Sequence, residues 1–165
     1  MNNGPNNPTT NITPAAGGAQ QQLPLTIRGQ YIKDLSFEIP RAPESISSLT
    51  KAPDVDINIE VAVRNLQPNT YEVALAVRCE AKAEAESIFI LELAYAGVFA
   101  LANVPEEHVK PVLFIECPRH LFPFARNIVA TLTQESSLPP MLINPIDFAA
   151  LYRTRYQEKP SGPVS

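Results

Sequence analysis

Tryptophan is absent from this chain, and cysteine, histidine and methionine occur only twice each in 165 residues. Cys79 and Cys117 show no metal-type spacing and outline no disulfide framework, so both read as reduced thiols. His108 and His120 have no Cys or acid at ligand spacing, which leaves them surface or structural roles. Cys117 near His120 resembles a nucleophile with a base, but Pro118 marks a turn there and no third orienting residue is evident. Of the six glycines, four lie before residue 30, so no phosphate-binding loop can be built. The longest apolar run, Leu93–Ala102, is too short to span a bilayer. No long basic run exists, the net charge is −4, and aromatics are not interleaved with Lys or Arg. Nucleic acid is thereby disfavoured as a partner. Glu106-Glu107 reads as helix N-terminal charge rather than an acid pair. No catalytic residue, metal site or cofactor is expected. Arg28 is the first basic side chain and no apolar stretch precedes it, so the expected location is cytoplasmic.

What is present is an apolar fraction of 45%, enough for a real core in one domain. Residues 1–24 carry no charged side chain and are rich in Asn, Gln, Pro and Gly. Such a segment buries too little to offset its ordering entropy and reads as a disordered polar tail. Asn11-Ile12-Thr13 matches a glycosylation sequon, but a cytosolic chain does not meet that machinery. Residues 157–165 read as a flexible C-terminal tail.

Between the tails the pattern has a period of two. Leu25, Ile27, Tyr31, Leu35, Phe37 and Ile39 share one parity; Thr26, Arg28, Gln30, Asp34, Ser36 and Glu38 share the other. Successive side chains of a strand point to opposite faces, so this is a strand with one apolar face. Its length calls for a bend or bulge near Gly29 or Lys33. Pro40–Pro53 lacks periodicity and brackets Ile46 and Leu49, as in a crossover between strands that are not neighbours. Val55–Leu66 and Tyr71–Cys79 alternate again, with Gln67-Pro68-Asn69 as the turn between them. In Glu86–Leu101, Phe89, Leu91, Leu93 and Tyr95 oppose Ile88, Ile90, Glu92 and Ala94. A lone carboxylate is costly to bury, so the face of Glu92 sees water or a partner. Ile88 and Ile90 on that face suggest a protein contact. These three strands read as an antiparallel meander.

The rest is helical. Pro105–Val109 fits one turn. Leu121, Phe124, Ala125, Ile128 and Leu132 recur at helical spacing, and Pro123 places that helix start near Leu121–Phe122. After Pro139-Pro140, Asn144 offers an N-cap with Pro145 behind it, and a short helix runs on through Phe148, Leu151, Tyr152 and Arg155. The fold class is α+β: a four-stranded antiparallel sheet with two helices packed on one face.

Several stretches taken together resemble the SecB family of bacterial protein-export chaperones. They are Tyr31-Ile32-Lys33-Asp34-Leu35-Ser36-Phe37-Glu38-Ile39-Pro40 with Ala42-Pro43, then Tyr71-Glu72-Val73, Phe89–Glu92 and Gly97-Val98-Phe99. Cys117-Pro118 leads into Leu121-Phe122-Pro123-Phe124-Ala125-Arg126, and the match closes on the run from Pro140 to Tyr152. The resemblance covers about residues 25–156, which define the chaperone domain. It implies a homotetramer, a dimer of dimers, that binds unfolded preproteins, keeps them translocation-competent and delivers them to the SecA motor ATPase. It implies no enzyme activity and no cofactor. Matching positions for the motor contact are Asp34, Glu38, Ile90 and Glu92. The motor's zinc-bearing C-terminal segment is the implied partner, and an acidic face suits a basic one. Candidates for the client groove are Ile46, Leu49, Phe148, Leu151 and Tyr152. Candidates for assembly are Leu91, Leu93, Tyr95, Phe124 and Ile128. The crossover has no aromatic between Ile39 and Pro53, so an aromatic subsite has to come from elsewhere. The alternative function is a SecB-like general holdase for other unstable clients, not coupled to the motor. A small-molecule enzyme needs convergent polar groups in a pocket, and no such constellation is present.

Overall fold

The computed structural model describes residues 24–157. The expected tails, 1–24 and 157–165, therefore lie outside the described residues except for Pro24 and Gln157. Four strands form one antiparallel sheet: β1 (Leu25–Glu38), β2 (Asp54–Gln67), β3 (Thr70–Ala83) and β4 (Glu86–Leu101), in the order β1-β4-β3-β2. β2, β3 and β4 form a meander because their connections are two-residue turns, Pro68-Asn69 and Glu84-Ala85. Asn69, Glu84 and Ala85 all have positive φ there, the conformation that matches the twist of a tight hairpin. β1 and β2 occupy opposite edges, so the chain between them must cross the end of the sheet. The long Pro40–Pro53 connection does this and forms one helical turn, α1 (Glu44–Ser47), on the way.

One face of the sheet is covered. Val73, Leu75, Val77, Cys79, Leu91, Leu93 and Phe99 are essentially inaccessible. Over them lies a long helical run: α2 (Glu106–Pro111), a π-helical segment Val112–Glu116, and α3 (Cys117–Glu135). In α3, Cys117, Leu121, Ala125 and Val129 recur every fourth residue and are fully buried, a single ridge set on β3 and β4. Gly97 of β4 lies beneath it. A Cβ there would meet Leu121 at 3.1 Å and the Phe99 ring at 2.9 Å. Thr133 closes the helix by accepting from Met141 N at 2.9 Å, and Arg126 Nε donates to the Ile143 carbonyl at 2.8 Å. These two bonds run the next segment back beside α3 to α4 (Phe148–Leu151) and a second π-helical segment, Tyr152–Tyr156.

The helix does not start at Leu121–Phe122, as Pro123 suggested. It passes through Pro111, Pro118 and Pro123. The π turn just before Cys117 widens the hydrogen-bond ring, which gives the Pro118 ring room and tolerates its missing donor. Pro123 and Arg119 are both exposed, so the carbonyl that Pro123 leaves unpaired, that of Arg119, falls on the solvent side. The last helix is capped by Asp147, whose Oδ1 accepts from Ala150 N at 2.9 Å, and not by Asn144. Ile88 is buried at 5% exposure rather than displayed beside Ile90. The register skips it, with Ala81 opposite Phe89 and Lys82 opposite Ser87, so it is a bulge turned toward the crossover.

Seating of α3 predicts that Leu121→Ala costs about 2–5 kcal/mol of unfolding free energy, read as a lower urea midpoint. An unchanged midpoint would show that the helix is not held at that position.

Candidate functional site

The face of the sheet away from the helices is open, and its geometry depends on β1. Two register shifts interrupt the pairing of β1 with β4, between Ile27 and Gly29 and between Ile32 and Asp34. Each bulge reverses the parity of the residues beyond it. Leu25, Ile27, Leu35 and Phe37 therefore share the helix side with Leu101, Phe99, Leu93 and Leu91 opposite them. Between the bulges the order inverts: Gln30 and Ile32 lie opposite Gly97 and Tyr95, while Tyr31 lies opposite Ala96 on the open side. The simple alternation that grouped Tyr31 with the apolar face is corrected by this pair of bulges. A hydrogen bond from Tyr95 Oη to Gln30 Oε1 at 3.2 Å fits the inversion.

Beyond the second bulge the polar parity returns to the open face. Asp34, Ser36 and Glu38 stand opposite Ala94, Glu92 and Ile90. Asp34, Glu38, Ile90 and Glu92 thus share one corner of the sheet, with Ile90 half-buried and the three acids exposed. Glu92 meets Arg78 on β3, which also approaches Glu80 at 3.8 Å. Asp34, Glu60, Arg78, Glu92 and Ala94 line a shallow depression of about 320 Å³. Carboxylates outnumber cations in this corner, and one apolar side chain sits among them. The arrangement suits a basic partner with a single apolar anchor.

Farther along the same face sits Glu72, whose side chain is only 6% exposed. Its carboxylate accepts from Tyr31 Oη and from Lys33 Nζ at 2.5 Å, with Arg64 at 3.3 Å. The Lys33 bond, then the Tyr31 bond, hold its pKa down from 4.5 to about 2 against the opposing effect of burial. The Tyr31 phenol is pushed up by donating to that carboxylate. In the sequence Glu72 is one more polar residue in an alternating strand. The signal for its role is long-range and involves Tyr31, which is misplaced until the bulges are known.

The groove candidates do not form one surface. Leu49 lines a cavity of about 300 Å³ with Ser45, Lys82 and Ile88 at the end of the sheet, and Ile46 is half-buried in the same short helix. Phe148 is 1% exposed and packs edge-on to Phe122 at 6.1 Å, so it is core and presents nothing to a client. Leu151 and Tyr152 are half-buried, and Tyr152 stands 6.0 Å from Phe114. Tyr156 completes an aromatic cluster at 4.8 Å from Phe114. This cluster supplies aromatics that the crossover lacks. Sequence reading missed Phe114, which lies in the π-helical segment, although Tyr152 and Tyr156 are four residues apart on one helical face. The same C-terminal segment borders the free edge of β2: Arg155 Nη1 donates to the Ile59 carbonyl at 2.7 Å, and Val61 N donates to Tyr156 Oη at 2.9 Å.

Of the assembly candidates, Leu91, Leu93 and Tyr95 are buried within the subunit under α3, which leaves them no surface for a partner. Phe124 is 50% exposed and stacks on Tyr95 at 5.8 Å; Ile128 is half-buried. Exposed Ile27, Ile32 and Leu35 extend this apolar region along the edge strand. Cys79 and Cys117 are buried, and burial pushes their thiols up to about 11 and about 12, far from reactive. Among the described residues no cluster of metal-ligating side chains occurs, and no helix is long and apolar enough to cross a membrane.

The family model described as preprotein translocase subunit SecB matches residues 18–159. The protein-export protein SecB of Paramagnetospirillum magneticum is 55% identical over 140 residues, covering 84% of this chain and 90% of that one. That of Parvibaculum lavamentivorans is 44% identical over 156 residues, covering 93% of each. A SecB-like chaperone from Mycobacterium tuberculosis, solved with a peptide from an antitoxin, superposes with a TM-score of 0.62 at 18% identity. The match covers 74% of this chain and 90% of that one, and shows a shared fold.

The depressed pKa of Glu72 carries a sign. Its ionised form contributes stability above about pH 4.5, and that contribution is lost as pH falls toward about 2. Glu72→Gln is expected to be less stable than the parent at pH 7 in urea unfolding, with the gap narrowing by pH 3. A gap that is constant with pH would show that the charge is not what stabilises.

Proposed function

Because the chain belongs to the SecB family of protein-export chaperones, we propose that it holds unfolded preproteins in a translocation-competent state and delivers them to the SecA motor ATPase. The observation that carries the motor contact is the shared register of Asp34, Glu38, Ile90 and Glu92 on neighbouring strands of the open face. Exposed acids raise the encounter rate with a basic segment, and half-buried Ile90 gives that segment an apolar seat. The zinc of the motor's C-terminal segment belongs to the partner.

Client holding needs apolar surface without sequence preference. Each Å² of apolar area removed from water contributes roughly 25 cal/mol, and many shallow contacts on one long chain add through avidity. The proposed client contacts are two patches: Ile46 and Leu49 at the crossover, and Leu151 and Tyr152 with the aromatics Phe114 and Tyr156 near β2. Phe148 supports them from the core. Residues 25–156 form the chaperone unit in the cytoplasm, between the tails 1–24 and 157–165.

The working form is a homotetramer, a dimer of dimers. β1 is an edge strand with free backbone groups, and Ile27, Ile32, Leu35 and Phe124 are exposed beside it. A second copy satisfies both the edge and the apolar strip. Native mass is expected at about four times the 18.1 kDa subunit. A monomer would remove the long grooves and with them this reading.

Asp34→Ala combined with Glu92→Ala is expected to weaken SecA binding about tenfold, or ~1.4 kcal/mol, in calorimetry. Binding of an unfolded preprotein should stay near the parent value. Unchanged motor affinity would favour a general holdase uncoupled from the motor.

A further inference from the structure

The open face holds one group that the docking residues do not account for. Glu72 is a nearly buried carboxylate on the face of the sheet that no helix covers, and its donors come from both sides of its strand. Arg64 reaches it from β2, where the two residues are directly paired. Tyr31 and Lys33 reach it from β1, which is not a neighbour of β3; both side chains must pass over β4. The β4 residues beneath are Ala94, Ala96 and Val98, low enough to be crossed.

These donors sit at the weak point of β1. Tyr31 is in the inverted stretch between the bulges, and Lys33 is the residue the register skips at the second bulge. β1 pairs with a single neighbour, and a slip of one residue would turn Asp34, Ser36 and Glu38 to the helix side. Backbone pairing alone resists such a slip poorly at a bulged edge. A carboxylate bound both to Tyr31 within the inversion and to Lys33 at the bulge that ends it does resist it, because removing any donor leaves a buried acid short of a partner.

We propose that Glu72 is the positioning residue of the docking face: through Tyr31 and Lys33 it locks the second bulge of β1 and so holds Asp34 and Glu38 beside Ile90 and Glu92. The proposal rests on the reading of that face as the motor contact. It explains why a tyrosine and a lysine stand on this strand immediately before its acids, and why β4 is lined with alanine beneath them.

Charge and position make opposite forecasts, which gives the test. Lys33→Gln removes a positive charge from an acidic face. If only charge matters, a basic peptide should bind more tightly. If Lys33 positions the strand, binding should weaken. The full-length protein is titrated with the zinc-loaded C-terminal peptide of SecA, with native mass recorded for each variant. Lys33→Gln is expected to weaken binding about tenfold, Tyr31→Phe by about threefold, and Lys33→Arg by less than about twofold, all at unchanged native mass. Amides of residues 34–38 should lose hydrogen-exchange protection in Lys33→Gln and keep it in Lys33→Arg. Equal or tighter binding by Lys33→Gln overturns the proposal, as does weakening seen only when the oligomer breaks up. Full protection of 34–38 in Lys33→Gln overturns it whatever the peptide does. The docking reading fails separately, if Asp34→Ala with Glu92→Ala binds the peptide as the parent does.

Discussion

The contact between α3 and the covered face of β3 and β4 is the constraint on which the rest depends. Leu121, Ala125 and Val129 form a ridge that touches the sheet along its middle strands, and Gly97 lets it come close. A thin layer pair has no other place to bury apolar area. The apolar core is therefore on one side, and no helix covers the other. The same contact explains the prolines in the helical run. Burial of one face outweighs the loss of a few main-chain bonds, and a π turn together with the solvent side absorbs those losses.

One-sided burial leaves two edges to manage. The edge at β2 is partly satisfied by Arg155 and Tyr156, which bond its backbone groups and bring the aromatic cluster beside it. The edge at β1 is bulged twice and carries apolar side chains on its covered side. A chaperone subunit is consistent with both arrangements. One edge lies close to apolar and aromatic side chains, and the other leaves backbone groups and apolar side chains exposed. The open face between them is lined by alanine over its middle and by charge at its ends.

How much of this was legible in the residues varied with the range of the cause. Asp34 and Glu38 could be placed on one face of β1 by parity because both lie past its second bulge, where alternation holds again, and Ile90 and Glu92 on one face of β4. That the two strands adjoin was implied by the resemblance alone. Tyr31 could not, because a bulge adds a residue without leaving a mark in hydrophobicity. Ile88 was lost for the same reason. Pro123 marks no helix start because the packing of Leu121 and Ala125 around it outweighs the local effect of proline. Phe148 read as an exposed aromatic on a short helix. Its burial comes from Phe122, twenty-six positions away in sequence, which no local pattern reports.

By itself the sequence determined the strands, their order of appearance, the presence of a covering helix, and the family. Each of these is written in side-chain periodicity or in the order of short motifs, and neither needs the chain to be folded to be read. Only the tertiary structure decided that Tyr31 faces outward with Asp34 and Glu38, and that Glu72 draws Tyr31, Lys33 and Arg64 onto one carboxylate. Those outcomes turn on register and on contacts between distant strands. A slip of one residue reverses them while leaving the alternation of the sequence unchanged.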